Sequence, residues 1–153
     1  MTQFDSVNEE LSDAQLIPLL RQARTIAVVG LSPKADRPSF RVASYLQQVG
    51  YRIIPVRPGM ETLLGEPCFA SLEEIPAEIT VDIVDLFRAA EETPPLAAAA
   101  VQLMGNRTQS TRLLWLQSGI INDAALSIAR SGGLVALQDR CLMVEHRRLA
   151  PFF

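Results

Sequence analysis

The chain has 153 residues, of which 48% are hydrophobic and 6% aromatic, so it can bury one aliphatic core and fits the range of a single domain. Its formal net charge of −3 argues against a sequence-independent nucleic-acid binder, which needs a basic surface. No stretch reaches the roughly 20 apolar residues that span a bilayer, and residues 1–10 lack the basic and apolar regions of a signal peptide. We therefore expect a cytoplasmic, single-domain protein over residues 1–153, with residues 1–24 as an N-terminal helical appendage.

Apolar periodicity predicts strands that alternate with helices, after a first helix that begins with a capping box of Ser12 and Gln15. The predicted strands are Ile26–Val29, Arg52–Val56, Val81–Phe87, Leu113–Leu116 and Leu134–Leu137. The predicted helices are Ser39–Gln48, a short one at Leu72–Ile75 capped by Ser71 with Glu74, Pro94–Met104, and Asn122–Ser131, which ends in left-handed glycines at 132 and 133. The fold class is therefore α/β, a doubly wound, mainly parallel five-stranded Rossmann-like sheet with helices on both faces.

Residues 30–39, which follow the first strand, have the composition of a phosphate-binding loop. Gly30 permits a sharp turn and a close approach of backbone to a ligand. The helix after the loop presents free N–H groups and the positive end of its dipole to an anion. Ser32 and Ser39 add hydroxyl donors, and Lys34 and Arg37 add cations. The alternative is an ordinary strand-to-helix turn with solvated charges.

Two common nucleotide fingerprints are missing from this loop. The pattern G-x-G-x-x-G needs glycines at 30, 32 and 35, where the chain has Gly30, Ser32 and Ala35, and the pattern G-x-x-x-x-G-K-[ST] also fails at Ala35. The second strand ends in Arg57 instead of the acidic residue that holds a ribose 2′-hydroxyl, and an arginine suits a phosphate. NADP and coenzyme A both carry such a phosphate, and the missing glycines count against NADP.

Several segments in order carry a family resemblance. They are AVVGLSPKADRPS at 27–39, GYRIIPVRP at 50–58, VDIVDLFR at 81–88, WLQSGIIN at 115–122, and DRC with EH within 139–146. The chain resembles the small stand-alone CoA-binding proteins, which are related to the CoA-binding domain of the succinyl-CoA synthetase α subunit. The resemblance implies coenzyme A or acyl-CoA as the ligand. Arg57 departs from the asparagine usual in the family, although an arginine there reaches a phosphate.

Ligands of parallel sheets bind beyond the carboxyl ends of the strands, so residues after strands two to four join the loop in the predicted site. We expect Arg57 to meet the adenosine phosphate and Phe87 and Arg88 to lie beside the adenine or the phosphates. Gln117 and Gly119 are expected to line the path of the pantetheine arm. The predicted ligand-binding residues are Gly30, Ser32, Lys34, Arg37, Ser39, Val56, Arg57, Pro58, Phe87, Arg88, Gln117 and Gly119.

Residues with catalytic or metal-binding chemistry are few. His146 is the single histidine, and Cys68 and Cys141 lack metal-ligand spacing, so we predict free thiols and no metal site. A nucleophile pair of Cys141 and His146 is conceivable, but structural hydrogen bonds by Glu145 and His146 are the favoured interpretation.

Three further side chains lie on predicted strands. Trp115 is expected in the core, because large rings within strands are usually buried. Asp82 and Asp85 lie three residues apart, so they face opposite sides of the sheet and are not expected to form a paired-carboxylate site. We expect one of them to cap a loop or to pair with an arginine.

The resemblance implies binding without catalysis, because the phosphorylated histidine of the synthetase lies in a domain that this chain does not contain. We therefore predict a carrier, sensor or regulatory module for CoA or acyl-CoA. The alternatives are an NADP-dependent oxidoreductase and a subunit that completes an active site with a partner chain. A homo-oligomer or a protein partner is compatible with the sequence, whereas nucleic acid and membrane are not expected.

Overall fold

The computed structural model describes residues 11–109 and 111–153, so residues 1–10 of the predicted appendage lie outside the described part. Its strands are β1 (Thr25–Val29), β2 (Arg52–Val56), β3 (Thr62–Leu63), β4 (Glu66–Pro67), β5 (Ile83–Leu86), β6 (Leu113–Leu116) and β7 (Val135–Leu137). Five of them form a parallel sheet in the order β2–β1–β5–β6–β7. The predicted α/β fold class with a five-stranded parallel sheet is thus confirmed.

Helices cover both faces of the sheet. They are α1 (Asp13–Gln22), α2 (Pro38–Gln48), α3 (Thr93–Met104), α4 (Asp123–Ser131) and α5 (Leu142–Leu149). One core cluster joins α3 and α4 to residues such as Ala27 and Val84, and the other joins α1, α2 and α5 to residues such as Ile26 and Val28. Because neighbouring strand residues enter opposite clusters, both faces are buried and the strands read as continuous apolar runs.

The N-terminal helix begins as predicted. Ser12 Oγ accepts from the Gln15 backbone N–H at 3.2 Å, and Gln15 Oε1 accepts from the Ser12 N–H at 2.8 Å. This reciprocal capping box satisfies two amide groups at the helix start. The side chains of Leu16 and Leu20 then pack α1 against the sheet.

Several predicted elements need correction. The strand expected at Val81–Phe87 is limited to Ile83–Leu86. Just before it, the Asp82 carboxylate accepts from the N–H groups of Arg24 and Thr25 at 2.8 and 3.0 Å. That contact confirms the expectation that one of the two aspartates caps a loop. The short helix is a 3₁₀ turn, Leu72–Glu74, and Ser71 makes no side-chain cap there.

The predicted left-handed conformation is found at only one of the two glycines that follow α4. Gly133 has the expected positive φ of 91°, but Gly132 has a φ of −87° and is not left-handed. A Cβ on Gly132 would lie 2.4 Å from Cγ1 of Val101 on α3. Gly132 is therefore needed for close helix packing.

Two strands and one helix are absent from the sequence-based prediction. Strands β3 and β4 form an antiparallel hairpin beyond β2, and Phe69 continues from it to bridge Val56. Helix α5 occupies the C-terminal segment, where α5 packs beside α1 and α2.

Within the described ranges, no helix is both long and apolar enough to cross a bilayer.

Candidate functional site

The candidate site lies where the chain leaves β1 and β5 in opposite directions. The crossover from β1 through α2 leads to β2 on one side, and β5 pairs with β1 on the other. This reversal of strand order leaves a crevice outside the carboxyl ends of the strands, the usual ligand position in such sheets.

Gly30 allows the two strands to approach closely at this crevice. Its φ is +84°, and its N–H donates to Val56 O at 2.9 Å. A Cβ on Gly30 would lie 2.3 Å from the carbonyl oxygen of Phe87, far inside van der Waals contact. The position therefore requires glycine both for its backbone conformation and for the space that Phe87 occupies.

The crevice holds an open cavity of about 520 Å³. Two residues outside the predicted set, Pro33 and Pro38, also line it. Pro38 occupies the first turn of α2, where its missing N–H leaves no intrahelical bond unmade. Seven of the predicted ligand-binding residues line the cavity together: Gly30, Ser32, Lys34, Arg37, Ser39, Arg57 and Phe87.

Hydrogen bonds within the loop fix its two serines. Ser39 Oγ accepts from the Ser32 N–H at 2.9 Å, and Ser32 Oγ accepts from the Lys34 N–H at 3.1 Å. Each hydroxyl keeps its own proton for donation to another acceptor. Arg37 is the N-cap of α2 and provides no side-chain cap, so the N–H groups of the first turn remain available to an anion.

Cations dominate the charge of the cavity. Lys34, Arg37 and Arg57 line it, and no acidic residue does. Across the described residues, none of the three forms an ion pair within 4.0 Å. Arg57 Nε donates to Pro58 O at 3.3 Å. Unpaired cations beside a helix N-terminus fit a ligand with several phosphate groups.

The other predicted residues lie outside the cavity lining. Val56 is buried in β2, Pro58 is exposed, and Arg88 pairs with Glu92 at 2.7 Å. Gln117 is buried, and its Oε1 accepts from the N–H of Leu142 at 3.0 Å, so the side chain caps α5. Gly119 is exposed, and its N–H donates to Asp139 Oδ1 at 2.8 Å.

Asp85 is a buried carboxyl that sequence reasoning left without a role. It lies on β5 opposite Val28 of β1 and Trp115 of β6, fully buried, and neither of its oxygens has a hydrogen-bond partner in the described structure. Burial raises the pKa of Asp85 well above its usual value. The sequence signal was its acidic side chain inside an apolar run.

Trp115 itself is in the core as predicted, and its indole N–H donates to Arg140 O at 2.7 Å.

The C-terminal residues make structural contacts, in agreement with the favoured interpretation. Glu145 pairs with Arg140 and with Arg148, the latter at 2.9 Å, and these arginines hold the pKa of Glu145 below its usual value despite its burial. His146 Nδ1 lies 2.7 Å from the hydroxyl of Tyr45. Cys68 and Cys141 are free thiols, as predicted.

Fold and site define a class of protein, a Rossmann-like domain with a cation-lined cavity at the carboxyl ends of its strands. The chain belongs to the CoA binding domain family, whose model matches residues 24–147. Membership of this family supports binding of coenzyme A.

Three relatives illustrate this membership. The uncharacterized protein YneT of Bacillus subtilis is 35% identical over 135 residues, which cover 88% of this chain and 94% of that protein. Acetate–CoA ligase [ADP-forming] II of Archaeoglobus fulgidus is 33% identical over 73 residues, 44% of this chain and 11% of the ligase. The solved structure of cell-free ID.343 from Thermus thermophilus has a TM-score of 0.81 at 38% identity, covering 91% of this chain and 99% of that one.

Proposed function

We propose that the loop of residues 30–39 holds the pyrophosphate of coenzyme A or acyl-CoA and that Arg57 binds the phosphate on its adenosine ribose. The observation that carries the proposal is the cavity at the carboxyl edge, lined by three cations and no acid. Lys34 and Arg37 neutralise the pyrophosphate, while the hydroxyls of Ser32 and Ser39 and the first turn of α2 donate to its oxygens.

The rest of the ligand extends along the carboxyl edge. Phe87 lines the cavity and offers an apolar surface to the adenine, with Arg88 next to it. The exposed turn at Gly119 follows β6 and lies on the path proposed for the pantetheine arm. Gln117 supports this path through its cap on α5, because its side-chain oxygen is already engaged with Leu142.

The proposed role is binding without catalysis, as a carrier, sensor or regulatory module that can act through a protein partner. In support, no residue lining the cavity carries a carboxylate, an imidazole or a thiol. Its titratable groups are cations, which suit the recognition of phosphates. The imidazole of His146 is engaged with Tyr45 on the α2–α5 side of the sheet.

Titration calorimetry with CoA, dephospho-CoA, NADP and NAD tests the proposal. We expect CoA to bind more tightly than NAD. Dephospho-CoA should bind more weakly than CoA by about 1.5–3 kcal/mol, the range for hydrogen bonds to a charged group. Tighter binding of NAD or NADP than of CoA would refute the proposal and favour a dinucleotide enzyme.

A pair of arginine variants separates the role of Arg57 from general charge effects. Arg57→Ala should abolish most of the difference between CoA and dephospho-CoA. Arg52→Ala is the matched control, because Arg52 is exposed at the start of β2, whereas Arg57 directly follows the end of that strand. A difference between the two ligands that survives in Arg57→Ala would show that another group binds the adenosine phosphate.

A further inference from the structure

The buried carboxyl of Asp85 lies next to the ligand crevice along β5. Ile83 belongs to the core cluster under α1, α2 and α5, whereas Val84 and Leu86 belong to the cluster on the other face. Side chains alternate along a strand, so Asp85 is on the same face as Ile83. Phe87 follows on that face and lines the crevice. One repeat of the strand, roughly 7 Å, therefore separates the carboxyl from the cavity lining.

The groups that flank Asp85 give it no hydrogen bond. In register with it are Val28 on β1 and Trp115 on β6. The indole N–H of Trp115 donates to Arg140 O at 2.7 Å instead. Asp85 is 0% exposed, and both carboxyl oxygens are without a partner among the described residues. A carboxylate here would have neither solvent nor donors, so the fold favours the neutral acid.

Other titratable side chains on this side of the sheet belong to α2, α5 and the loops beside these helices and strands. They are Tyr45, Tyr51, Cys68, Cys141, Glu145 and His146, with Arg140 and Arg148 paired to Glu145. Helix α1 faces the same cluster with Leu16 and Leu20, and β1 and β6 face it with apolar side chains. None of these groups bonds to Asp85. A variant that lacks only the Asp85 carboxyl therefore separates its titration from theirs.

Charges in the crevice act on this carboxyl from the ligand side. Lys34, Arg37 and Arg57 line the cavity and favour a negative charge nearby while it is empty of anions. Phosphate groups bound by these cations cancel their charge, and the remaining negative charge of the ligand repels a carboxylate. Such repulsion is strong where apolar side chains, instead of water, lie between the charges. A bound polyphosphate therefore favours the neutral form of Asp85.

Ionisation of Asp85 also needs water that the fold excludes. Along β5, the crevice residue Phe87 is two positions away and partly exposed, whereas Asp82 at the amino end is three positions away and buried. Water that enters from the crevice has to displace Phe87, whose carbonyl packs closely on Gly30. Ionisation and the closed crevice are therefore mutually unfavourable.

We propose that Asp85 makes ligand binding in the crevice proton-linked: the ligand binds the form with a neutral Asp85, and ionisation of Asp85 weakens binding. The inference rests on the proposed function, because it concerns a phosphate-bearing ligand in the same cavity. Burial raises the pKa of Asp85 well above its usual value. Affinity should be constant below the pKa of Asp85 in the free protein and fall by up to about tenfold for each pH unit above it.

The fluorescence of Trp115 tests the titration without any ligand, because Trp115 is the single tryptophan of the chain and lies in register with Asp85. We would record its emission and its quenching by acrylamide from about pH 5 to about pH 9, a range that contains the raised pKa values of buried carboxyls. The wild type should show a transition that Asp85→Asn and Asp85→Ala lack, with more quenching at high pH. Transitions of His146 or Glu145 should persist in all three proteins. Identical profiles would overturn the proposal.

Hydrogen exchange locates the effect at the crevice. The Phe87 N–H donates to Val29 O at 2.9 Å and reports on the contact between the ends of β1 and β5. Its exchange rate in the wild type, divided by that in Asp85→Asn at the same pH, should rise from one with the midpoint of the Trp115 transition. A ratio that stays at one would show that ionisation leaves the crevice closed and would refute this route.

Calorimetry with CoA over the same pH range then tests the linkage. The ratio of wild-type to Asp85→Asn affinity should fall with the Trp115 midpoint, and titration of groups on CoA itself cancels in this ratio. A ratio that is independent of pH would overturn the proposal although CoA binds. Absence of CoA binding to either protein at every pH would instead refute the proposed function. Inorganic pyrophosphate, which probes the same cations, would then decide the linkage by the same ratio.

Discussion

Replacing Gly30 with alanine is the sharpest test of the geometry at the crevice. The substitution adds one methyl group to a residue with a φ of +84°, at a point 2.3 Å from the carbonyl oxygen of Phe87 and 2.9 Å from Cδ of Arg88. The Arg88 side chain is exposed and can move, but the Phe87 carbonyl belongs to the backbone that follows β5. The backbone of β1 or of β5 must therefore shift.

Gly119→Ala is a matched control for this substitution. Gly119 has the same φ of +84°, but a Cβ there would meet nothing within 4 Å. Both variants carry the cost of a left-handed backbone, about 1–2 kcal/mol. Gly30→Ala carries in addition the cost of forcing a methyl group into filled space, about 1–3 kcal/mol.

Urea and thermal unfolding of the two variants should therefore differ. We expect Gly30→Ala to have a lower free energy of unfolding than Gly119→Ala by about 1–3 kcal/mol. For a chain of this size, that corresponds to a difference in Tm of roughly 2–12 °C. Because Phe87 lines the cavity, CoA affinity should also fall in Gly30→Ala. Equal stability of the two variants would refute the close approach of Gly30 and Phe87.

Three further predictions concern single side chains. Arg37→Ala should weaken CoA binding without changing Tm, since Arg37 is an exposed N-cap that makes no cap hydrogen bond. Calorimetry measures the affinity and thermal unfolding the Tm, and a large loss of Tm would contradict this prediction. Burial raises the pKa of Asp85 above its usual value of 3.8. The neutral carboxyl therefore adds no ionisation penalty below that pH, and the free energy of unfolding falls as the pH rises from there through the folded-state pKa. Asp85→Asn should consequently stabilise the protein more at pH 8 than at pH 4 in urea unfolding, and an equal effect at both would count against a buried, unpartnered carboxyl. Cys141→Ala should leave any hydrolysis of acyl-CoA unchanged, whereas loss of a catalytic nucleophile lowers rates by orders of magnitude in a thioesterase assay.

Helix α5 shows where the sequence pattern fails. Its positions 145 and 146 are buried, but they carry Glu and His, so the apolar periodicity that predicts a helix is interrupted. The burial is possible because Arg140 and Arg148 pair with Glu145, while Tyr45 on α2 bonds to His146. Arg148 lies on α5 itself and Arg140 just before it, whereas Tyr45 is 101 residues away in the chain. Apolar periodicity within one segment reveals neither the ion pairs nor this distant contact.

Gln117 and Asp85 show the same limit at the site. The sequence places Gln117 after a strand, at the ligand edge of the sheet. The fold also brings the start of α5 there, and the Leu142 N–H, which has no partner within the helix, donates to the side-chain oxygen of Gln117. The sequence predicts that Asp85 faces away from Asp82 and that one of the two caps a loop or pairs with an arginine; Asp82 makes that contact, and Asp85 does not. The fold surrounds it with β1 and β6 on either side, so neither solvent nor a polar partner reaches the carboxyl.

The sequence by itself determined the strands of the sheet, the loop of residues 30–39 and its cations, because aliphatic runs, glycine and phosphate-binding residue types act through local chemistry. Tertiary structure alone decided that Arg57 joins Lys34 and Arg37 around one cavity while Arg88 pairs with Glu92 outside its lining. It also decided the placement of His146 among three aromatic rings. These outcomes depend on contacts between residues far apart in the chain, which form only when the strands have paired and the helices have packed on the sheet.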